Sequence, residues 1–474
     1  MTASPTPPPP RVLLVDPYLA REDPMERKFI ELYPSLGLLT LGAYLREHGV
    51  AVEAVDLTFA RSTKPVADRI ARFKPDIVGV HTKTLTRERA IKIAALARIG
   101  GALALAGGPD AASATYGYLE AGFDAVVPGE GEAALTDLAH AVHSGAWPEK
   151  VAGVAYREHG RVVRGPPRPF LRDLDELPLP AWDLVDMQGY LGRWERTTGE
   201  RRAAVLTSRG CPFDCSWCSK PTFGRTFRQQ SPARVIEELR ALQERYGVNY
   251  VRFCDDVFGI QRSWLDDLLA RMKEEDLGMK FECLARVDLL KPDLLARMRA
   301  VGLERVYVGV ESGSQKMLDL MNRGTKLAQV ERTAEALRRE GIRQFWFLML
   351  GYPGETLEDI DATLRLFRRF SPEEYSVSIA VPVPGTRFFE QVKGSARTPG
   401  PRAGSEGGRT LLFDGMYPQR LYRWEQRRFR LEAALGRARS KLGDRVVGRI
   451  GKIADRFHKS VAAPLLTGDA PKGS

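Results

Sequence analysis

Between residues 11 and 145 the hydrophobic pattern changes period repeatedly. Short apolar or alternating runs, "RVLLVDP", "VAVEAVDL", "PDIVGVHT" and "ALALAGGP", give way to stretches whose apolar residues recur every three or four positions, "LGLLTLGAYLREHG", "VADRIARF" and "RERAIKIAALARIG". The first kind suits strands, the second amphipathic helices. "LGLLTLGAYLREHG" should stop at Gly49, because glycine readily takes the left-handed conformation that closes a helix. "AVVPGEGEAALTDLAHAVHSG" adds a strand, a turn and a helix. Strands and helices alternating in this way predict a parallel, doubly wound sheet that takes its ligand at the carboxyl ends of its strands.

The alternation breaks over residues 149–199, where Pro166, Pro167, Pro169, Pro178 and Pro180 mark a connector and "VAYREHGRVVRG" reads as a small hairpin. It resumes over 200–390. "AAVLTS", "NYVRFCDD", "MKFECLA", "RVYVGVES", "RQFWFLMLG" and "EYSVSIAVPVPG" read as six strands, with helical runs between them. "SPARVIEELRALQERYG" has Ser231 as its N-cap and Pro232 in its first turn. Six βα units fit a partial TIM-like barrel, whose functional groups belong where the strands end. The fold class expected is therefore α/β: a doubly wound, Rossmann-like domain over 11–148, the connector, and a (βα)6 partial barrel over 200–390. A flexible linker over 391–410 and a basic, mainly helical region over 411–474 follow.

Composition narrows the picture. A chain of 474 residues has room for two or three cores, and a hydrophobic share of 43% is ordinary for a globular protein. No run approaches the roughly 20 apolar residues of a membrane span. "MTASPTPPPP" lacks the charged and apolar regions of a secretory signal and reads as a flexible leader over 1–10. Five cysteines, three of them bunched, do not make a disulfide framework; they point to a reducing cytoplasm and to metal or catalysis. The net charge of +11 sits largely in the tail, where residues 421–460 hold 12 Lys/Arg against 4 Asp/Glu. Such a surface suits nucleic acid, anionic lipid, an acidic partner, or simply a solvated helical face.

The bunched cysteines are Cys211, Cys215 and Cys218, spaced C-x3-C-x2-C in "TSRGCPFDCSWCSKPTFGR". A structural zinc needs four protein ligands, and neither Cys254 nor Cys283 stands at a knuckle spacing. A cluster held by four thiolates fails for the same reason. A cubane with one iron left open remains. The triplet follows the first barrel strand, with the aromatic Trp217 just before the third cysteine. It resembles the signature of radical S-adenosylmethionine (SAM) enzymes, in which the open iron binds the amino and carboxylate groups of SAM and one electron cleaves the sulfonium to a 5′-deoxyadenosyl radical.

That resemblance extends to the other strand ends. Asp255 and Asp256, in "CDDVF", would accept hydrogen bonds from SAM or substrate, or act only as a cap or ion-pair partner; the family often has "GGE" there. Arg286 would meet a carboxylate or form a structural ion pair. Glu311 and Ser312, in "VGVES", match the ribose-binding position, and Gly351, Tyr352 and Pro353, in "LGYPGET", the segment whose backbone approaches the adenosyl group.

A doubly wound domain ahead of such a barrel resembles the cobalamin-binding branch of the family, over residues 11 to roughly 390. The matching segments are "YPSLGLLTLGAYLREHG", "PDIVGV", "AGGPDAAS", "PGEGE" and "LDELPLPAWDL". The resemblance implies Gly107 and Gly108 beside the nucleotide tail, with Tyr18, His81, Gly129 and Glu130 near the corrin. Many cobalamin domains have Asp-x-His-x-x-Gly after the first strand. Here "DPYLARED" puts Tyr18 where the histidine would fall, which implies a base-off, His-off cobalamin. His81 either approaches the lower face or is merely hydrogen-bonded. The implied activity is methylation of an unactivated carbon or phosphorus of a small-molecule or lipid substrate, with flavodoxin or ferredoxin as electron donor. The alternatives are a non-methylating cyclase or ring-rearranging enzyme and, more distantly, a cobalamin or iron–sulfur sensor. Nucleic acid is not expected as a partner, peripheral membrane contact is left open, and a monomer is the default.

Overall fold

The computed structural model describes residues 8–23, 32–146, 151–220, 222–395 and 413–442. Most of the expected leader and linker, and the tail beyond 442, lie outside these residues. The chain divides into two compact units, the first made of Met1–Pro212, Lys220–Asp256 and Arg262–Met279, the second of Phe213–Ser219, Val257–Gln261 and Lys280–Ser474.

In the first unit five parallel strands stand in the order Ala51–Asp56, Arg11–Asp16, Ile77–His81, Leu103–Gly107 and Ala125–Val127. Val12 lies opposite Val52 on one side and Ile77 on the other. Between Arg11–Asp16 and Ile77–His81 the strand order reverses direction, and such a switch point opens a crevice at the strands' carboxyl ends. Leu13 and Val15 face helices Lys64–Phe73 and Arg87–Ile99 through Val66, Ile70 and Ile93. Leu14 points to the opposite face, toward helices Leu36–Glu47 and Glu132–His143. Each of these aliphatic side chains contributes about 1.5–3 kcal/mol by leaving water. Helix Leu36–Glu47 gives way at Gly49, in the left-handed region at φ 75°.

The connector's hairpin is present, and it docks on this sheet. Ala155–Glu158 pairs antiparallel with Ala125–Val127, and Arg161–Arg164 pairs with Ala155–Glu158. The three-residue strand Ala125–Val127 would otherwise leave a bare edge, which a hairpin from the following chain covers. Sequence period identifies a hairpin but carries no information about which edge receives it.

Residues 200–390 supply the six strands that the pattern predicts. Arg202–Val205 and Tyr250–Phe253 pair in parallel within the first unit. There Ser231 caps helix Pro232–Tyr246 by accepting a hydrogen bond from the Arg234 amide at 3.2 Å. In the second unit Lys280–Ala285, Leu303–Glu311, Arg343–Leu350 and Glu374–Ile379 run parallel, each beside the next in sequence. Helices Pro292–Ala300, Leu327–Arg339 and Leu357–Phe370 connect them. The described part of the basic tail is helix Gln419–Leu442, which packs on Leu357–Phe370 and Glu374–Ile379. It buries Leu421, Tyr422 and Phe429, and its Arg428 joins Glu425 at 2.8 Å and Asp361 at 2.9 Å. The described part of the tail is thus a helix with one face packed on its own unit, not a wholly solvated one.

Candidate functional site

At the switch point of the first sheet lies a cavity of about 340 Å³. Its lining includes Gly37, Gly79, Gly107, Gly108, Gly129 and Gly131, interleaved with Leu14, Leu36, Leu41, Leu105 and Leu135. Four residues the sequence singled out, His81, Gly107, Gly108 and Gly129, therefore share one wall, and Glu130 joins them. Gly108 sits at φ 100°, and a Cβ there would come within 2.6 Å of the His81 ring and 2.9 Å of the Thr82 carbonyl oxygen. Only glycine fits that backbone at low cost. A flat, bulky macrocycle with a nucleotide tail needs this kind of cradle, so the lining fits a corrin.

His81 closes strand Ile77–His81, with its Nδ1 3.0 Å from the Ser35 hydroxyl and 3.6 Å from the Asp16 carboxylate. Burial would raise the pKa of Asp16, but Lys83 at 3.6 Å and His81 overcome it and bring the pKa down to about 2. Tyr18 does not line the cavity: its hydroxyl bonds to Asp23 at 3.0 Å and Lys83 lies over its ring. Glu130 reaches the cavity with its carboxylate already engaged. It takes Arg209 at 3.0 Å, Arg228 at 2.6 Å and the Leu171 amide at 2.8 Å, while Arg209 also holds Glu132 at 2.5 Å. Glu130 thus lines the cavity while tying Arg209, Arg228 and the Leu171 amide together.

The cysteine loop begins in the first unit. Gly210 stands at φ 83°, and a side chain there would run into the Thr226 carbonyl oxygen. The next residue, Cys211, is buried, and its carbonyl accepts from Lys220 Nζ at 2.6 Å. Cys215 and Cys218 belong to the second unit, where the Cys218 amide donates to the Cys215 carbonyl at 3.2 Å. Ser216 is held by backbone bonds to Met321 and Phe388, and Trp217 packs against the cluster of Met317, Met321, Met349 and Phe388. Cys215 Sγ is approached by two guanidinium groups, Arg323 at 3.4 Å and Arg286 at 4.0 Å. Among the described residues no three His, Cys, Asp or Glu side chains gather closely enough to hold a single metal ion.

The strand ends divide into engaged and poised groups. Asp255 is buried, and burial pushes its pKa up to about 6 although Ser208 (2.6 Å) and Thr207 (3.0 and 3.1 Å) donate to it. Its carboxylate accepts from neighbours in its own unit and braces the loop ahead of Cys211. Asp256 is exposed. Arg286 forms a two-point ion pair with Asp288, at 2.9 and 3.1 Å, and stacks over Phe213 at 3.8 Å. It is a structural ion-pair partner that also faces Cys215. Ser312 is fully buried against Thr363 at 3.0 Å and receives the Ser314 amide, so it holds its own turn rather than facing ligand.

Glu311 differs. It follows a register shift between Gly309 and Glu311, stands at φ 61° without being glycine, and is buried. Such backbone costs about 1–3 kcal/mol and persists where the surroundings impose it. Burial raises its pKa against the pull of Arg323. In the next loop the Gly351 amide donates to Glu355 at 2.5 Å, Pro353 lies in the turn, and Tyr352 is buried edge-on to Phe388 at 4.9 Å. Burial raises Glu355 to about 8.

Arg323 escaped the sequence reading. It touches Cys215, donates to the Gly309 carbonyl at 3.1 Å and acts electrostatically on Glu311, linking the cysteine loop to the fourth strand end within the second unit. Its signal was "NRG": Asn322 and Gly324 both take left-handed backbone, at φ 50° and 67°, and present the arginine between them.

A glycine-floored switch-point cavity and a C-x3-C-x2-C loop define a corrin-binding enzyme of radical chemistry, and comparison with known proteins agrees. Residues 28–139 match the B12-binding domain family and residues 205–367 the radical SAM superfamily. The chain belongs to the radical SAM enzymes that carry a B12-binding domain: a Rossmann-like domain followed by a radical SAM domain. It is 32% identical over 389 residues to an uncharacterized methyltransferase of Pyrococcus horikoshii, covering 80% of this chain and 82% of that protein. It is 30% identical over 376 residues to the anaerobic magnesium-protoporphyrin IX monomethyl ester cyclase of Rubrivivax gelatinosus, covering 76% and 66%. In fold it resembles the radical SAM methyltransferase TsrM of Kitasatospora setae, solved with cobalamin and a [4Fe–4S] cluster. The TM-score is 0.69 at 21% identity, over 83% of this chain and 76% of that one. Among the described residues no helix is long and apolar enough to cross a membrane.

Proposed function

We propose that this chain is a cobalamin-dependent radical SAM methyltransferase that methylates an unactivated carbon or phosphorus of a small-molecule or lipid substrate. The observation that carries the reading is the apolar, glycine-floored cavity at the strand switch, in a domain whose sequence has no G-x-G-x-x-G loop for a dinucleotide. The Pyrococcus relative, named a methyltransferase, supports it.

Cys211, Cys215 and Cys218 would hold the cluster, with Arg323 and Arg286 supplying positive charge beside Cys215. Glu311 would accept the ribose hydroxyls, and the Gly351–Pro353 backbone would border the adenosyl group. Gly107 and Gly108 would admit the nucleotide tail and His81 would lie near the corrin, with cobalamin bound base-off and His-off because Tyr18 replaces the ligating histidine. When bound, the cluster supplies the electron that opens SAM to a 5′-deoxyadenosyl radical, and cobalamin supplies a methyl group to an atom too poor a nucleophile to take it by displacement. The apolar lining of the cavity excludes water from that exchange. A flavodoxin or ferredoxin would deliver the electron.

The test does not need the substrate. The reconstituted holoenzyme is given a strong reductant and SAM labelled as S-CD3. The expected result is S-adenosylhomocysteine together with CD3-labelled methylcobalamin, read by mass spectrometry. Formation of 5′-deoxyadenosine with no label on cobalamin would contradict methyl transfer and favour the cyclase-like alternative.

A further inference from the structure

We infer that a second, smaller cavity of the first unit receives one primary amide arm of the corrin, with Glu238 and Gln230 as its recognition groups. The inference rests on reading the glycine-floored cavity as the corrin site. The smaller cavity measures about 30 Å³ and shares Leu36, Thr40, Leu206 and Arg209 with the larger one. It holds roughly one water or one amide head group.

Its inner wall is polar where the surrounding helix is not. Glu238 lies on helix Pro232–Tyr246 among Val235, Ile236, Leu239 and Leu242, and is 2% exposed. It has no hydrogen bond to any described residue. Arg234, whose charge acts on it, is turned away to Glu237 at 2.6 Å and to the Leu177 carbonyl at 2.5 Å, and Arg209, which also lines the cavity, is held by Glu130 and Glu132. Across the same space the Gln230 Oε1 is buried without a hydrogen bond. Both residues line this small void, and a buried polar group left without a partner costs about 1–3 kcal/mol.

Burial raises the pKa of Glu238 to about 8, so at neutral pH it keeps its proton and presents one donor and one acceptor. A primary amide is the complement. Its oxygen accepts the acid proton, and its two N–H groups are taken by the acid carbonyl and Gln230 Oε1. Cobalamin carries such amides around its rim, and Leu36, Thr40, Leu206 and Arg209, common to both cavities, place the smaller one directly beside the corrin site. A carboxylate arm could accept the acid proton but has no N–H to offer the acid carbonyl or Gln230 Oε1, so it should bind more weakly than the amide.

The experiment titrates full-length apoprotein with hydroxocobalamin and with its three propionamide-derived monocarboxylates, following visible absorbance. Wild type should bind at least one monocarboxylate about 10-fold or more weakly than hydroxocobalamin. Glu238→Gln keeps a donor and an acceptor and should bind hydroxocobalamin within about 3-fold of wild type, whereas Glu238→Leu should lose about 10- to 100-fold and no longer distinguish amide from carboxylate. Should the leucine variant fail to fold, Gln230→Leu, at the less buried partner, is expected to weaken the same discrimination. Equal affinity of wild type for all four corrinoids would overturn the receptor, as would a penalty that survives in the leucine variant. Complete failure of wild type to bind hydroxocobalamin would overturn the corrin reading itself.

Discussion

In the first unit a cavity is made by leaving side chains out: six glycines line the switch point. Around Cys215 in the second unit charge is put in, with two arginines within 4.0 Å of one sulfur. The contrast follows from the two cofactors. A corrin is wide, and what it needs from a sheet is room and a few amide-matching groups. A cluster on three thiolates is compact and anionic, and what it needs is positive charge and a rigid loop. One chain therefore builds two sites by opposite means, and each should fail independently of the other.

The largest expected effect separates them outright. Cys215→Ser should lower 5′-deoxyadenosine formation by about 1,000-fold or more while leaving hydroxocobalamin affinity within about 2-fold. Joint loss of both would show that the two sites are one cooperative structure. Gly108→Leu is the converse, placing a side chain against His81 on left-handed backbone. Cobalamin affinity should fall by about 100-fold, with cluster content and SAM cleavage nearly unchanged. Arg323→Met should come next: about 10-fold slower SAM cleavage and a cluster reduction potential lower by on the order of tens of millivolts in an EPR-monitored titration, because a cation beside the sulfur has gone. Arg323→Lys should recover much of the potential but less of the rate, since lysine cannot bridge Cys215 and Gly309 together.

The smallest effects concern two buried carboxyls of the first unit, shifted in opposite directions. Asp16 is held down at about 2 against an ordinary 3.8, so its stabilisation is present above pH 3.8 and lost as pH falls through 2. Glu238 is raised to about 8 from 4.5, so its contribution is full below pH 4.5 and disappears as pH rises through 8. Urea unfolding of the apoprotein between pH 5 and pH 9 should show wild type losing up to a few kcal/mol that Glu238→Gln does not lose.

What sequence alone could read follows the same division. The cysteine spacing, the paired Gly107 and Gly108, and the six strands of the parallel series over residues 200–390 are local in the chain, and period or spacing exposes them. Asp255 and Glu130 stood at plausible positions but turned out to be engaged, because hydrogen bonds to Ser208 and ion pairs to Arg209 and Arg228 join residues 47 to 98 positions apart. Arg323 was hidden for the same reason: it reaches Cys215 across 108 residues. Glu238 looks in sequence like any polar position of an amphipathic helix, and only its place beneath the connector prolines makes it buried.

The most direct measurement is anaerobic purification with cobalamin supplied, reconstitution of the cluster, and quantification of iron and cobalt with a visible spectrum. The account predicts about four irons and one cobalt per chain, with a base-off spectrum. Iron without cobalt in a folded chain would contradict it and leave a radical enzyme whose first domain binds no corrin.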